Sequence, residues 1–128
     1  MSVTFFCPEA PTETFVPYED EPEYTETRPV APFTEVNMAN SNAIAMLRVI
    51  MPAAVDWCGT WEGGVLDTAI KNTLLALNRD PESLTTPDVH DGNFHMFGRD
   101  QDYVTRRLTE LLNLFVVAKQ HGFRVCFG

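Results

Sequence analysis

Six prolines fall between positions 8 and 32, at 8, 11, 17, 22, 29 and 32, and they constrain the chain more than any other feature. Each removes a backbone donor and drives the residue before it toward extended conformations, so no helix is expected in this stretch. The same stretch is acidic. Residues 8–32 hold Glu9, Glu13, Glu19, Asp20, Glu21, Glu23 and Glu26 against Arg28 alone, which is −6 of a formal net charge of −9. Phe15, Val16, Tyr18 and Tyr24 interrupt the charge, and two outcomes stay open: an extended arm pinned across the core or onto a partner, and a solvated loop.

Outside this arm the chain is ordinary in charge and rich enough in apolar residues to pack a core. At 128 residues and 45% hydrophobic content, one domain covering residues 1–128 is expected, and wholesale disorder is excluded. The net charge left outside residues 8–32 is only −3, which provides neither the basic footprint of a nucleic-acid binder nor a polybasic membrane patch. No apolar run approaches the ~18 to 20 residues of a membrane span, and residues 1–15 lack the basic start and long apolar segment of a secretion signal. A cytoplasmic location is therefore expected. Cys7, Cys58 and Cys126 are far apart and fit neither a disulfide framework nor a zinc module.

Hydrophobic periodicity places the regular elements. The β-branched and aromatic run 2–7 reads as a strand ended by Pro8, and 33–37 alternates as a short half-buried strand. Residues 37–42 supply turn chemistry, and Asn40 or Ser41 is the expected N-cap of a helix carrying Ala43, Ile44, Leu47, Ile50 and Met51 on one stripe, stopped by Pro52. Residues 56–61 read as a compact linker with Trp57 and Trp61 wedged between helices. A second helix is predicted over about 62–78, with Leu66, Ala69, Ile70, Thr73, Leu74 and Leu77 at helical spacing. After a polar stretch containing an edge-strand candidate at 93–97, a third helix begins near Asp100 and Asp102 and ends near Lys119 and His121. Those signs suit the helix dipole at both ends. Its stripe is Val104, Leu108, Leu111, Phe115 and Ala118, broadened by Leu112. Leu114 and Val117 lie off that stripe, which implies either burial on two sides or contact with another subunit in a homo-oligomer. Gly122 is the expected C′ residue, followed by a terminal strand over 123–127. The fold class is α+β, with about three helices packed on one face of a small mixed or antiparallel sheet.

Three clusters offer chemistry. Asn37, Asn40, Ser41 and Asn42 gather where a strand end meets a helix N-terminus, a place where free amide hydrogens favour anions, so this corner is the small-ligand candidate. Helix capping and turn formation account for the same residues without a ligand. His90, Asp91 and His95 could in principle face a metal, yet their spacing matches no metal motif and a solvated loop explains them better. Cys58 aided by His90 or His95 would make a nucleophile, but nothing in the sequence places them together. Neither a cofactor nor a metal is expected.

The segments Glu35–Leu47, Cys58-Gly59, Gly98–Val104 and His121–Gly128 together resemble small uncharacterised proteins of bacteria and their phages. That resemblance implies no assigned activity, and it transfers no catalytic residue. A phage origin would make inhibition of a host protein a sensible expectation. The reading that accounts for most residues is a non-enzymatic α+β binding protein, an inhibitor or accessory factor. It presents the acidic arm, with Tyr18 and Tyr24, and the Trp57 and Trp61 turn to a protein partner whose surface is basic. The rivals are a nucleotide or small-molecule binder using the Asn37–Asn42 corner and a small enzyme built on Cys58 or the histidine loop.

Overall fold

A computed structural model describes residues 2–52, 58–79, 89–91, 94–96 and 101–128, and at 79, 89–91, 94–96 and 101 it describes the backbone alone. In chain order the elements are β1 (Ser2–Phe6), β2 (Thr12–Phe15), β3 (Glu26–Pro29), β4 (Val36–Ala39), α1 (Asn40–Ile50), β5 (Gly59–Trp61), α2 (Gly63–Arg79), β6 (Val89–Asp91), β7 (Phe94–Met96), α3 (Gln101–Gln120) and β8 (Val125–Phe127). An antiparallel sheet of order β4-β1-β8-β5 carries the fold, and β2-β3 and β6-β7 form separate antiparallel hairpins. The α+β class with three helices is thus the observed one.

Alternation along the strands decides which face of the sheet is covered. Val3 and Phe5 of β1, Val36 and Met38 of β4, and Val125 and Phe127 of β8 are all buried, while Ser2, Asn37 and Ala39 face out. The buried face meets Met46 and Ile50 of α1, Leu66 and Ala69 of α2, and Leu108, Leu111 and Phe115 of α3. At its centre four rings meet. Phe5 stacks on Phe127 at 5.5 Å between centroids, Trp61 lies 4.8 Å from Phe127, and Phe115 presents an edge to Trp61 at 5.7 Å.

Geometry requires glycine at positions 59 and 122. A Cβ at Gly59 would meet the Phe127 ring at 3.0 Å, directly across the β5-β8 pair, so a side chain there would push the ring cluster apart. Gly122 has φ +68°, and its amide donates to the Lys119 carbonyl while Phe123 donates to that of Ala118, the hydrogen-bond pair of a Schellman cap. The C′ role assigned to Gly122 from sequence is therefore met.

Several boundaries and roles differ from expectation. The helix α1 starts at Asn40 with Ala39 as N-cap and no side-chain capping bond, so neither Asn40 nor Ser41 caps it. The reason is that β4 runs directly into the helix: its extended backbone delivers Ala39 at ψ 150°, leaving no turn for an asparagine to close. The strand expected at 33–37 is shifted to Val36–Ala39, and Phe33 is instead buried in the loop against the rings of His121 and Phe123. Residues 59–61, read as linker, form the sheet's edge strand β5, because pairing with β8 supplies hydrogen bonds that three residues beginning with glycine do not announce. Of the two off-stripe residues Leu114 is buried within the chain, whereas Val117, like Leu112, is only half-buried. Leu74, placed on the α2 stripe, is exposed.

Truncating the ring at the sheet centre tests this packing. Phe115→Ala is expected to destabilise the fold by about 3 to 5 kcal/mol, through lost transfer energy plus a residual cavity. Denaturant titration measures it, and a loss below about 1 kcal/mol would mean the ring cluster is not the centre of the core.

Candidate functional site

The acidic arm is a β-hairpin. The prolines at 11, 17, 22 and 29 leave three stretches in which every backbone nitrogen can donate, 12–16, 18–21 and 23–28, and in the first and last of them threonine alternates with other residues: Thr12 and Thr14, then Thr25 and Thr27. The strands form in the first and last of these stretches, the second running on through Pro29, and pair Thr12 with Pro29, Glu13 with Arg28, Thr14 with Thr27 and Phe15 with Glu26. Pro29 sits at the last position, where the missing donor costs least. The arm was expected to be extended or a loop; paired strands satisfy its backbone and give it a defined shape.

A two-stranded ribbon alone is marginal, so its side chains matter. Arg28 bonds Glu13 at 2.8 Å and lies 4.3 Å over the Phe15 ring, so the one cation of residues 8–32 is engaged inside the hairpin. Tyr18 and Tyr24 pack together at the far end, 5.9 Å between ring centroids, and the chain turns through Glu21 amide to Tyr18 carbonyl and Tyr24 amide to Glu21 carbonyl bonds. Both tyrosines stay about half exposed, at 54% and 47%, and Val16 beside them is exposed as well. Glu19, Asp20, Glu21 and Glu23 surround this small aromatic patch, all exposed and, among the described residues, without an ion pair.

Among the described residues the hairpin is tied down at its base. The Val30 amide donates to the Pro11 carbonyl at 2.9 Å, Glu9 bridges Arg124 at 2.8 Å, and Phe33 is sunk in the core. Beside this base lies a groove of about 640 Å³ between residues 32–36 and α3, lined by Val36, Leu112, Val116 and Val117 with Glu35 and Glu110 at its rim. A neighbouring cleft, lined by Glu13, Arg28, Thr34 and Glu35, connects groove to hairpin through the shared Thr34 and Glu35.

Other residues singled out from sequence do not converge. The Asn37 amide donates to the Thr4 hydroxyl at 2.7 Å and to Ser2 at 3.1 Å on the open face of the sheet, whereas that of Asn42 donates to the Tyr103 hydroxyl at 3.0 Å, between α1 and α3. The side chains of Asn37 and Asn42 are thus split between two surfaces. Trp61 is 5% exposed and belongs to the ring cluster, so it is a core residue and not a surface anchor. Trp57 lies outside the described residues, as do the side chains of His90, Asp91 and His95; the β6-β7 register sets the backbones of His90 and His95 opposite each other. Cys58 is exposed and packs beside Gly128, Cys7 is buried, and all three cysteines are free. Burial pushes the Cys7 thiol up from its ordinary pKa.

Sequence reasoning missed the hairpin pairing and the groove. The alternating threonines carried a signal for the first; the second joins residues some eighty positions apart.

At the hairpin, Glu26 accepts a hydrogen bond from the Tyr24 phenol at 3.0 Å and its charge opposes phenolate formation, so Tyr24 ionises above the ordinary tyrosine range. Glu26→Gln is expected to bring the Tyr24 pKa back down, followed by its ring NMR shifts against pH; an unchanged midpoint would mean the contact is absent in solution. Thiol alkylation near neutral pH should mark Cys58 well before Cys7, read by peptide mass spectrometry, since one sulfur is exposed and the other is buried with its thiolate disfavoured. No protein-family model, no curated protein and no solved structure matches this chain.

Proposed function

We propose that the protein is a non-enzymatic binding protein whose acidic, tyrosine-bearing hairpin engages a basic surface on a protein partner, in the manner of an inhibitor or accessory factor. The observation that carries this reading is the concentration of Glu19, Asp20, Glu21 and Glu23, all unpaired among the described residues, around two half-exposed tyrosines on an element that packs mainly against itself. Tyrosine anchors desolvate at low entropic cost, and surrounding carboxylates raise the rate of encounter with a basic partner. A phage origin, as the resemblance implies, would make the partner a host protein.

The reading includes a reducing, cytoplasmic setting, which suits three free cysteines. Among the described residues no helix is long and apolar enough to cross a membrane.

The hairpin can be excised because Pro11 and Val30 are already hydrogen-bonded neighbours. Replacing residues 12–29 by two glycines is expected to leave cooperative unfolding intact. Association should be measured with a purified protein first captured by the full chain. Excision should abolish it, and Tyr18→Ala or Tyr24→Ala should weaken it about tenfold. Neutralising Glu19, Asp20, Glu21 and Glu23 to their amides should slow the on-rate and flatten its salt dependence. An on-rate unaffected by salt, together with full binding after excision, would overturn the proposal.

A further inference from the structure

The hydrogen bonds of the central sheet determine which way the edge strand β4 points its backbone. The Thr4 amide and carbonyl both bond Gly128, at 3.0 and 3.2 Å, so Thr4 directs its polar groups toward β8. Direction alternates along a strand, so Val3 and Phe5 direct theirs toward β4, onto their register partners Met38 and Val36. Each trans peptide sets its carbonyl opposite the following amide. The Glu35 carbonyl, both polar groups of Asn37 and the Ala39 amide therefore point away from the sheet. Thr4 and Asn37 are then a close, non-hydrogen-bonded pair, which agrees with the 2.7 Å bond between their side chains. Among the described residues nothing bonds these outward groups.

The apolar groove runs beside this edge, with Leu112, Val116 and Val117 of α3 as its floor. Glu35, with no ion pair among the described residues, stands at its rim beside Glu110, which Arg107 bridges at 2.6 Å, and no lysine or arginine lines it. The geometry points to strand addition: an extended segment of a partner protein, alternating apolar with basic residues, pairs with the outer edge of β4. Its apolar side chains enter the groove, and its basic ones meet Glu35 and the acidic hairpin. Main-chain pairing supplies affinity in such complexes and the side-chain pockets supply specificity. A volume of about 640 Å³ accommodates a few aliphatic side chains. This inference deepens the protein-partner reading and rests on it, while placing part of the contact at a surface other than the tyrosine tip.

Backbone hydrogen exchange reads the pairing directly. The probe is a short end-blocked peptide alternating valine with lysine, added to the full chain. It is expected to slow exchange of the Asn37 and Ala39 amides by about tenfold or more, leave the already bonded Val36 and Met38 unchanged, and shift the Val116 and Val117 methyl resonances. Two variants locate the effect. Ala39 has φ −59°, which proline adopts, and its amide is unused, so Ala39→Pro should keep the melting temperature while weakening the peptide about tenfold. Val116→Lys should do the same by filling the groove with a like charge.

Perturbation confined to residues 16–24 would overturn strand addition while leaving the hairpin reading in place. Equal binding of a valine-glutamate peptide would overturn the basic partner segment. Protection of Asn37 and Ala39 that rises with protein concentration alone would assign the edge to a second copy instead. No protection at either amide with any peptide would end the inference, whereas the hairpin reading is judged separately by the excised chain.

Discussion

The contact between the ring of Phe5 and those of Phe127, Trp61 and Phe115 holds together parts of the chain that sequence separates most widely. It joins the first strand, the last strand, the short edge strand β5 and the middle of α3. Phe5 and Phe127 also face each other in register, so the same pair of residues fixes both the ring stack and the alignment of β1 with β8. A slip of one residue would turn every buried side chain of β8 outward. Gly59 completes the arrangement by leaving room for Phe127 to lie across β5.

With that core covering one face of the sheet, no residue of 8–32 is buried in it, and Ala10 packs against its margin. Phe33 is the last large side chain that the core admits from this direction, and Glu9 is clamped to Arg124 on the way out. Between Pro11 and Val30 the two strands pair with each other, and two backbone bonds, Glu21 to Tyr18 and Tyr24 to Glu21, close the turn. The single arginine of this stretch is taken by Glu13 and Phe15, leaving the charge of the turn facing water. A hairpin held this way can meet another molecule without disturbing the fold beneath it. In the groove beside β4, Val116 and Val117 likewise lie off the main buried stripe of α3, and both are only half-buried.

Much of the architecture was legible in local patterns. The periodicity of α2 and α3, the stop at Pro52, the Gly122 cap and the strands at both ends of the described chain all follow from side-chain spacing and backbone preference. The candidate site was legible in part: the charge and the two tyrosines stand out in the sequence, but their pairing into a ribbon was masked by the prolines that surround the threonine windows. Trp61 illustrates the opposite error. Its size marked it as an anchor, and its burial depends on where β8 and α3 arrive, which no local pattern contains. The asparagines of β4 and α1 are neighbours in sequence but face different surfaces, because the chain changes from strand to helix at Ala39 without a turn.

What the sequence determined by itself is the class of fold, the places where helices cannot form and the segregation of negative charge into one segment. These depend on interactions between residues a few positions apart, and on composition. Tertiary structure alone decided that β5 pairs with β8, that Trp61 is core, and that β4 has an edge unpaired among the described residues beside an apolar groove, because strand pairing and helix packing are long-range choices made only when distant segments meet.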